Sequence, residues 1–179
     1  MLKVKAGQLD KLGLLFERYN RPLYGFFYRL TYDQAVSEDL VQNVFMRIIK
    51  YRHTYKGDGK FSTWMYHMAR NLFADHYRKE KKRGFKEDLS TTDKYISNDD
   101  HAEKVKIANE ELSMLDSAMK TLAEDKREIL VMSKYQGMRY QDIADLLEIS
   151  ESAVKVRIFR ALKALKEAYS KMECKVIKP

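Results

Sequence analysis

Residues 140–169 read YQDIADLLEISESAVKVRIFRALKALKEAY. The stretch carries two helical apolar patterns separated by a short break. Two short helices that cross closely need a small residue where they touch. Ala144 supplies it, flanked by Ile143 and Leu147. The break places one apolar residue, Ile149, where a turn would bury it. Ser150 then stands as a capping residue ahead of Val154 and Ile158, which fall on the inner face of the second helix. Glu148 occupies the position where a glycine would ease a left-handed turn, at a cost of about 1 kcal/mol. The spacing is that of a helix-turn-helix. Its second helix presents Glu151, Ser152, Lys155, Arg157, Arg160 and Lys163 outward. Basic groups so placed suit phosphates and guanine edges in a major groove. A plain αα-hairpin with a solvated basic face has the same pattern, and spacing alone leaves both readings standing.

Working outward, residues 124–136 form a further helical pattern with Ile129, Leu130 and Met132 inside, closed by Gly137 at a C′ position. Residues 110–121 form another, with Leu112, Leu115 and Met119 on one face. Before them GFKEDLSTTDKYISNDDHAEK, from Gly84, is polar and without apolar period, as a mobile linker would be. In the first part of the chain Leu9, Leu12, Phe16 and Tyr19 recur at helical spacing, then Leu23, Phe26, Phe27 and Leu30, with Pro22 set to kink or divide the run. Ser37 is the expected N-cap of EDLVQNVFMRIIKY, whose core stripe is Leu40, Val41, Val44, Phe45, Ile48 and Ile49. YKGDGKF reads as a loop, and Ser62 or Thr63 as the cap of a helix running to about Arg83. No strand signal appears. The expectation is all-α: two small helical domains, residues 1–83 and 110–179, joined by a flexible acidic polar linker over 84–109.

Composition agrees. The chain has 179 residues with only 2 prolines and 7 glycines, which favours long helices. Its net charge of +8 favours a polyanionic partner. The charge is uneven: 17 basic against 8 acidic residues over 1–83, 5 against 9 over 84–123, and 12 against 9 over 124–179. Cys174 is the single cysteine, so neither a disulfide framework nor a cysteine zinc cluster is available. No signal-peptide pattern and no membrane-length apolar run appear, which reads as a cytoplasmic protein without membrane insertion.

Residues 61–83, FSTWMYHMARNLFADHYRKEKKR, hold the lone tryptophan. On a helix Met65, Ala69, Leu72 and His76 share one face, joined by Phe61, and suit a core. Trp64, His67, Met68, Asn71, Asp75 and Arg78 share another. A face that mixes aromatic, amide and charged groups can stack on unpaired bases and bond their edges, with Arg78, Lys79, Lys81, Lys82 and Arg83 following the backbone. The plainer alternative puts Trp64 in the core and the polar groups in solvent.

Four stretches in order resemble the bacterial RNA polymerase sigma factors of the small, two-domain extracytoplasmic-function group. They are FERYNRPLYGFFYRLTYDQAVSEDLVQNVFMRIIKY, KFSTWMYHMARNLFADHYRKEKKR, LAEDKREILVMSKYQGMRYQDIADLLEIS and ESAVKVRIFRALKAL. The resemblance implies a protein that binds core RNA polymerase and directs promoter-specific initiation. It implies that the helix of Asp39, Val41, Gln42 and Phe45 docks on the clamp helices of the largest polymerase subunit, with the polymerase flap as a second contact. Asp39 and Gln42 are its exposed polar members. Asn43 stands where the family usually has a glutamate. The resemblance further implies that Trp64, His67, Met68, Asn71, Asp75, Arg78 and Lys79 meet a melted minus-ten element, with the loop from Tyr55 to Lys60 helping to pocket a flipped base. Ser152, Lys155, Arg157, Phe159, Arg160 and Lys163 fall to the minus-thirty-five element. Arg139 and Glu148 depart from the family's usual serine cap and turn glycine. Members are often held inactive by an anti-sigma factor, which leaves such a partner open here.

The rivals need other features. A stand-alone helix-turn-helix regulator would not need the docking and stacking patterns of the first lobe. A DNA-acting enzyme needs a nucleophile or clustered metal ligands, and His53, His67, His76 and His101 lack metal spacing. A membrane-surface helix fits poorly with basic residues set among well-patterned core helices. The expectation is no catalytic residue, no metal, no cofactor and no small-molecule substrate.

Overall fold

The structure is a computed structural model that describes residues 1–84 and 104–177. The expected linker and His101 fall largely or wholly outside the described residues, and the side chain of Cys174 does too. The elements are α1 (Leu2–Lys5), α2 (Leu12–Thr31), α3 (Gln34–Tyr51), α4 (Phe61–Gly84), α5 (Lys104–Lys120), α6 (Glu124–Leu130), α7 (Tyr140–Leu147) and α8 (Glu151–Ile177). No strand occurs among the described residues.

The first three long helices pack through most of the stripes expected of them, but Phe16 of α2 is 44% exposed and Ile49 of α3 and His76 of α4 are only half-buried. Leu23, Phe26, Phe27 and Leu30 of α2 are buried, each worth roughly 1.5–3 kcal/mol of apolar transfer. Pro22 lies inside α2 without dividing it. The link from α2 to α3 is two residues: Tyr32 ends α2 in a left-handed conformation, φ 54°, and Asp33 caps α3. Asp33 Oδ1 accepts the Val36 N–H at 2.8 Å. Ser37 is therefore not the cap. It sits inside α3, fully buried, and its hydroxyl donates to the Asp33 carbonyl at 2.5 Å. The aspartate wins because it stands one turn earlier, where the orphan N–H groups are. Likewise α4 starts at Phe61, one residue before Ser62, and the Trp64 N–H bonds back to the Lys60 carbonyl. Met65, Ala69 and Leu72 face the core as expected, and Tyr66 and Phe73 join them. Phe26 meets Tyr66 edge-on at 5.3 Å.

In the second lobe α6 runs into a π-helical turn over Val131–Tyr135 and ends at Gly137, φ 59°. Ile129, Leu130 and Met132 are buried there. The core side of α5 is Ala118 and Met119, whereas Leu112 is 59% exposed, contrary to the expected face. The helix-turn-helix forms as read. Ile143 and Ala144 of α7 and Val154, Ile158 and Ala161 of α8 are buried, and Ile149 in the turn is half-buried. Ser150 Oγ accepts the Ala153 N–H at 3.2 Å. Glu148 adopts φ 55°.

The two lobes touch. One apolar cluster runs from Leu23 and Phe26 through to Val154 and Ile158. Across it, Tyr66 Oη donates to Gln136 Oε1 at 2.5 Å, and Gln136 Nε2 donates to the Pro22 carbonyl at 3.2 Å. Arg70 pairs with Glu128 at 2.9 Å, and the Arg29 guanidinium lies 4.1 Å from the Tyr135 ring centre.

Candidate nucleic-acid interface

Two positions three apart on a helix share a face, and the loop before α4 closes over that face. The result is a cavity of about 330 Å³ lined by Tyr55, Lys56, Lys60, Thr63, Trp64 and His67, among others. Trp64 is half-buried: its ring packs on Tyr55 at 5.3 Å and Phe61 at 6.0 Å while it walls the cavity. Tyr55, 8% exposed, closes the loop on itself by donating from Oη to the Gly59 carbonyl at 3.0 Å. Gly57, φ 88°, is a residue whose backbone needs glycine.

Further along α4 the predicted residues divide. Met68 is half-buried, while Asn71, Arg78 and Lys79 are exposed. Asp75 is held between Arg78, 2.7 Å, and Arg47 of α3, 3.7 Å. Asn71 is exposed on the same helix, and Asp75 sets the Arg78 guanidinium. Burial lowers the pKa of His67, Arg70 lowers it further, and Glu148 and Asp145 oppose the shift. His67 is therefore neutral near pH 7.

The far rim of this cavity belongs to the other lobe. Asp142 and Asp145 of α7 line it, and Asp142 pairs with Lys60 at 3.0 Å. Burial pushes the Asp142 carboxyl up, but the Lys60 and Arg139 cations outweigh it and hold the group below the usual carboxylate range.

On the outer face of α8, Glu151 is half-buried and paired with Lys155 at 3.0 Å. Ser152, Lys155, Arg157, Phe159, Arg160 and Lys163 are all exposed. Phe159 is 70% exposed. Sequence reasoning passed over Val156, 46% exposed. Its signal was its distance of two residues from Val154, which on a helix turns it away from the core.

On α3 the residues expected to dock also divide. Asp39 and Gln42 are exposed, while Val41 and Phe45 are buried. Val41 and Gln42 line a groove of about 360 Å³ with Phe16, Asn20, Arg21, Tyr24 and Glu38. Phe45 supports that groove from beneath, 4.9 Å from the Phe16 ring. Met46, 65% exposed one turn after Gln42, extends the face and was not anticipated. Among the described residues no cluster of His, Cys, Asp and Glu could hold a metal ion, and no helix is long and apolar enough to cross a membrane.

Two family models match the chain. The family model for sigma-70 region 2 matches residues 15–83, and that for sigma-70 region 4 matches residues 112–165. The chain is 29% identical to the RNA polymerase sigma factor CarQ of Myxococcus xanthus, over 98% of this chain and 99% of that one. It is 29% identical to the ECF RNA polymerase sigma factor SigM of Bacillus subtilis, over 88% and 94%. The sigma factor RpoE of Bartonella quintana, in complex with the anti-sigma factor NepR, has a similar fold, with a TM-score of 0.71 at 20% identity, over 88% of this chain and 96% of that chain. With region 2 matched across α2 to α4, region 4 matched across the helix-turn-helix, and sigma factors matched nearly end to end, the chain belongs to the extracytoplasmic-function group of sigma-70 RNA polymerase sigma factors and serves promoter-specific transcription initiation.

Proposed function

We propose how the work is divided among the residues. The first domain, residues 1–83, docks on the clamp helices of core RNA polymerase through the exposed Asp39–Gln42–Met46 face and the groove beside it. Its cavity before α4 takes a base flipped from the minus-ten element. Trp64 and Tyr55 give that base an aromatic wall, Lys56 and Lys60 offer charge to its phosphates, and Asn71 reads an edge further along. Extruding a base costs a few kcal/mol, which stacking and pocket contacts offset. The second domain, residues 110–179, reads the minus-thirty-five element with the outer face of α8 and meets the polymerase flap. The linker of residues 84–109 tethers the two. An anti-sigma factor is a further partner of the kind held by RpoE of Bartonella quintana. The protein works in the cytoplasm and performs no bond chemistry itself.

The observation that carries this reading is the cavity walled by the lone tryptophan, beside a helix whose outward face continues into Asn71, Arg78 and Lys79. Each lobe makes few phosphate contacts, so each binds DNA weakly until the polymerase fixes both. The test is co-elution with core RNA polymerase at moderate salt. The wild-type chain co-elutes, and Asp39→Lys or Gln42→Lys abolishes it. A chain that ignores the polymerase at micromolar concentration yet binds duplex DNA tightly overturns the reading.

A further inference from the structure

Residues 1–11 lie outside the stretch matched to region 2, which starts at residue 15. They nonetheless pack on the loop that forms the cavity. Lys5 Nζ donates to the Tyr55 carbonyl at 2.6 Å, a contact fifty residues apart in sequence. Leu2 Cδ2 lies 3.0 Å from where a Cβ on Gly57 would stand, so α1 covers the left-handed turn at the tip of the loop. Val4 between them is fully buried, so α1 is seated and not merely resting on the surface. On the loop's other side Tyr55 packs against Trp64 and Phe61. The loop is thus gripped from two directions: its rings by α4, its backbone by α1.

We infer that α1 is a positioning strut for the minus-ten pocket, with Lys5 the positioning residue that fixes the Tyr55 backbone and, through it, the aromatic wall. The inference rests on the proposed role of the cavity. Loops pay for ordering in entropy when they bind, so a loop ordered beforehand binds a base more tightly. Nothing in this role requires Lys5 to touch DNA.

The test uses the full chain assembled with core polymerase and a single-stranded minus-ten oligonucleotide, with binding read by fluorescence anisotropy. Trp64 is the only tryptophan, so its emission in the free protein reports the loop directly. Lys5→Met keeps the aliphatic stem and removes the donor. Deletion of residues 2–6 removes the strut. Both variants still co-elute with the polymerase, both shift Trp64 emission to the red, and both lose about tenfold in oligonucleotide affinity, the worth of one well-placed hydrogen bond. Lys5→Arg restores emission and affinity. Wild-type binding with unchanged variants overturns the strut alone. A loss of affinity with unchanged emission and a shallower salt dependence makes Lys5 a phosphate contact and also overturns it. A wild-type holoenzyme that ignores the oligonucleotide overturns the reading of the cavity, and the strut with it.

Discussion

Glu148 holds φ 55° in the turn between α7 and α8, where an L side chain crowds the carbonyl that follows. Glu148→Gly should stabilise the protein by about 1 kcal/mol, read as a higher denaturation midpoint at unchanged slope. The sequence exposed this strain because the turn position follows from the spacing of Ala144 and Ser150. His67 was legible as a residue of the outward face but not as a titrating one. The Asp145 and Glu148 carboxylates near it come from another part of the chain. Its folded-state pKa is lowered, so its contribution is fully present above the ordinary value of 6.5 and is lost as pH falls through 6.5 toward the lowered one. Thermal midpoints should therefore drop between pH 7.5 and pH 5.5, and His67→Gln should flatten that part of the profile.

Among the elements, the helices were readable from apolar period and their starts were not. Asp33, two residues after α2 ends, takes the capping role expected of Ser37, because the helix begins a turn earlier than its apolar stripe. Asp33→Ala should cost about 1 kcal/mol in urea denaturation, the usual worth of a cap. Ser37 instead shares a buried hydrogen-bond network with Thr31, 3.0 Å away. On α5 the apolar pattern misled at Leu112, since its face there meets solvent and packing begins nearer Ala118. On α8 the pattern served well: the buried side was right at Val154 and Ile158, and the basic outer side followed from it. The aromatic wall was only half legible, because Tyr55 lies in a stretch with no period and earns its place by reaching Trp64 through the fold.

For the whole molecule, the contact between lobes could not be read from sequence at all. It is made by residues that look like ordinary surface groups: Tyr66, Arg70, Glu128 and Gln136. Burial raises the Glu128 carboxyl above its usual range, and Arg70 only partly offsets this. The pair is therefore better evidence of a specific register than of strength. Combining Tyr66→Phe with Arg70→Ala should loosen the closed arrangement, seen as a larger radius of gyration in X-ray scattering while each lobe keeps its helicity. The Lys60–Asp142 pair gives this arrangement a further meaning. On the proposed role of the cavity, a closed molecule offers its own carboxylates to the mouth that a phosphate approaches, so Asp142 competes with the nucleic acid for the Lys60 cation. Apparent affinity then equals the intrinsic affinity scaled by the fraction of molecules that stand open. Whatever grips only the open form raises promoter affinity without touching DNA. By thermodynamic reciprocity, the bound strand strengthens that grip by the same factor.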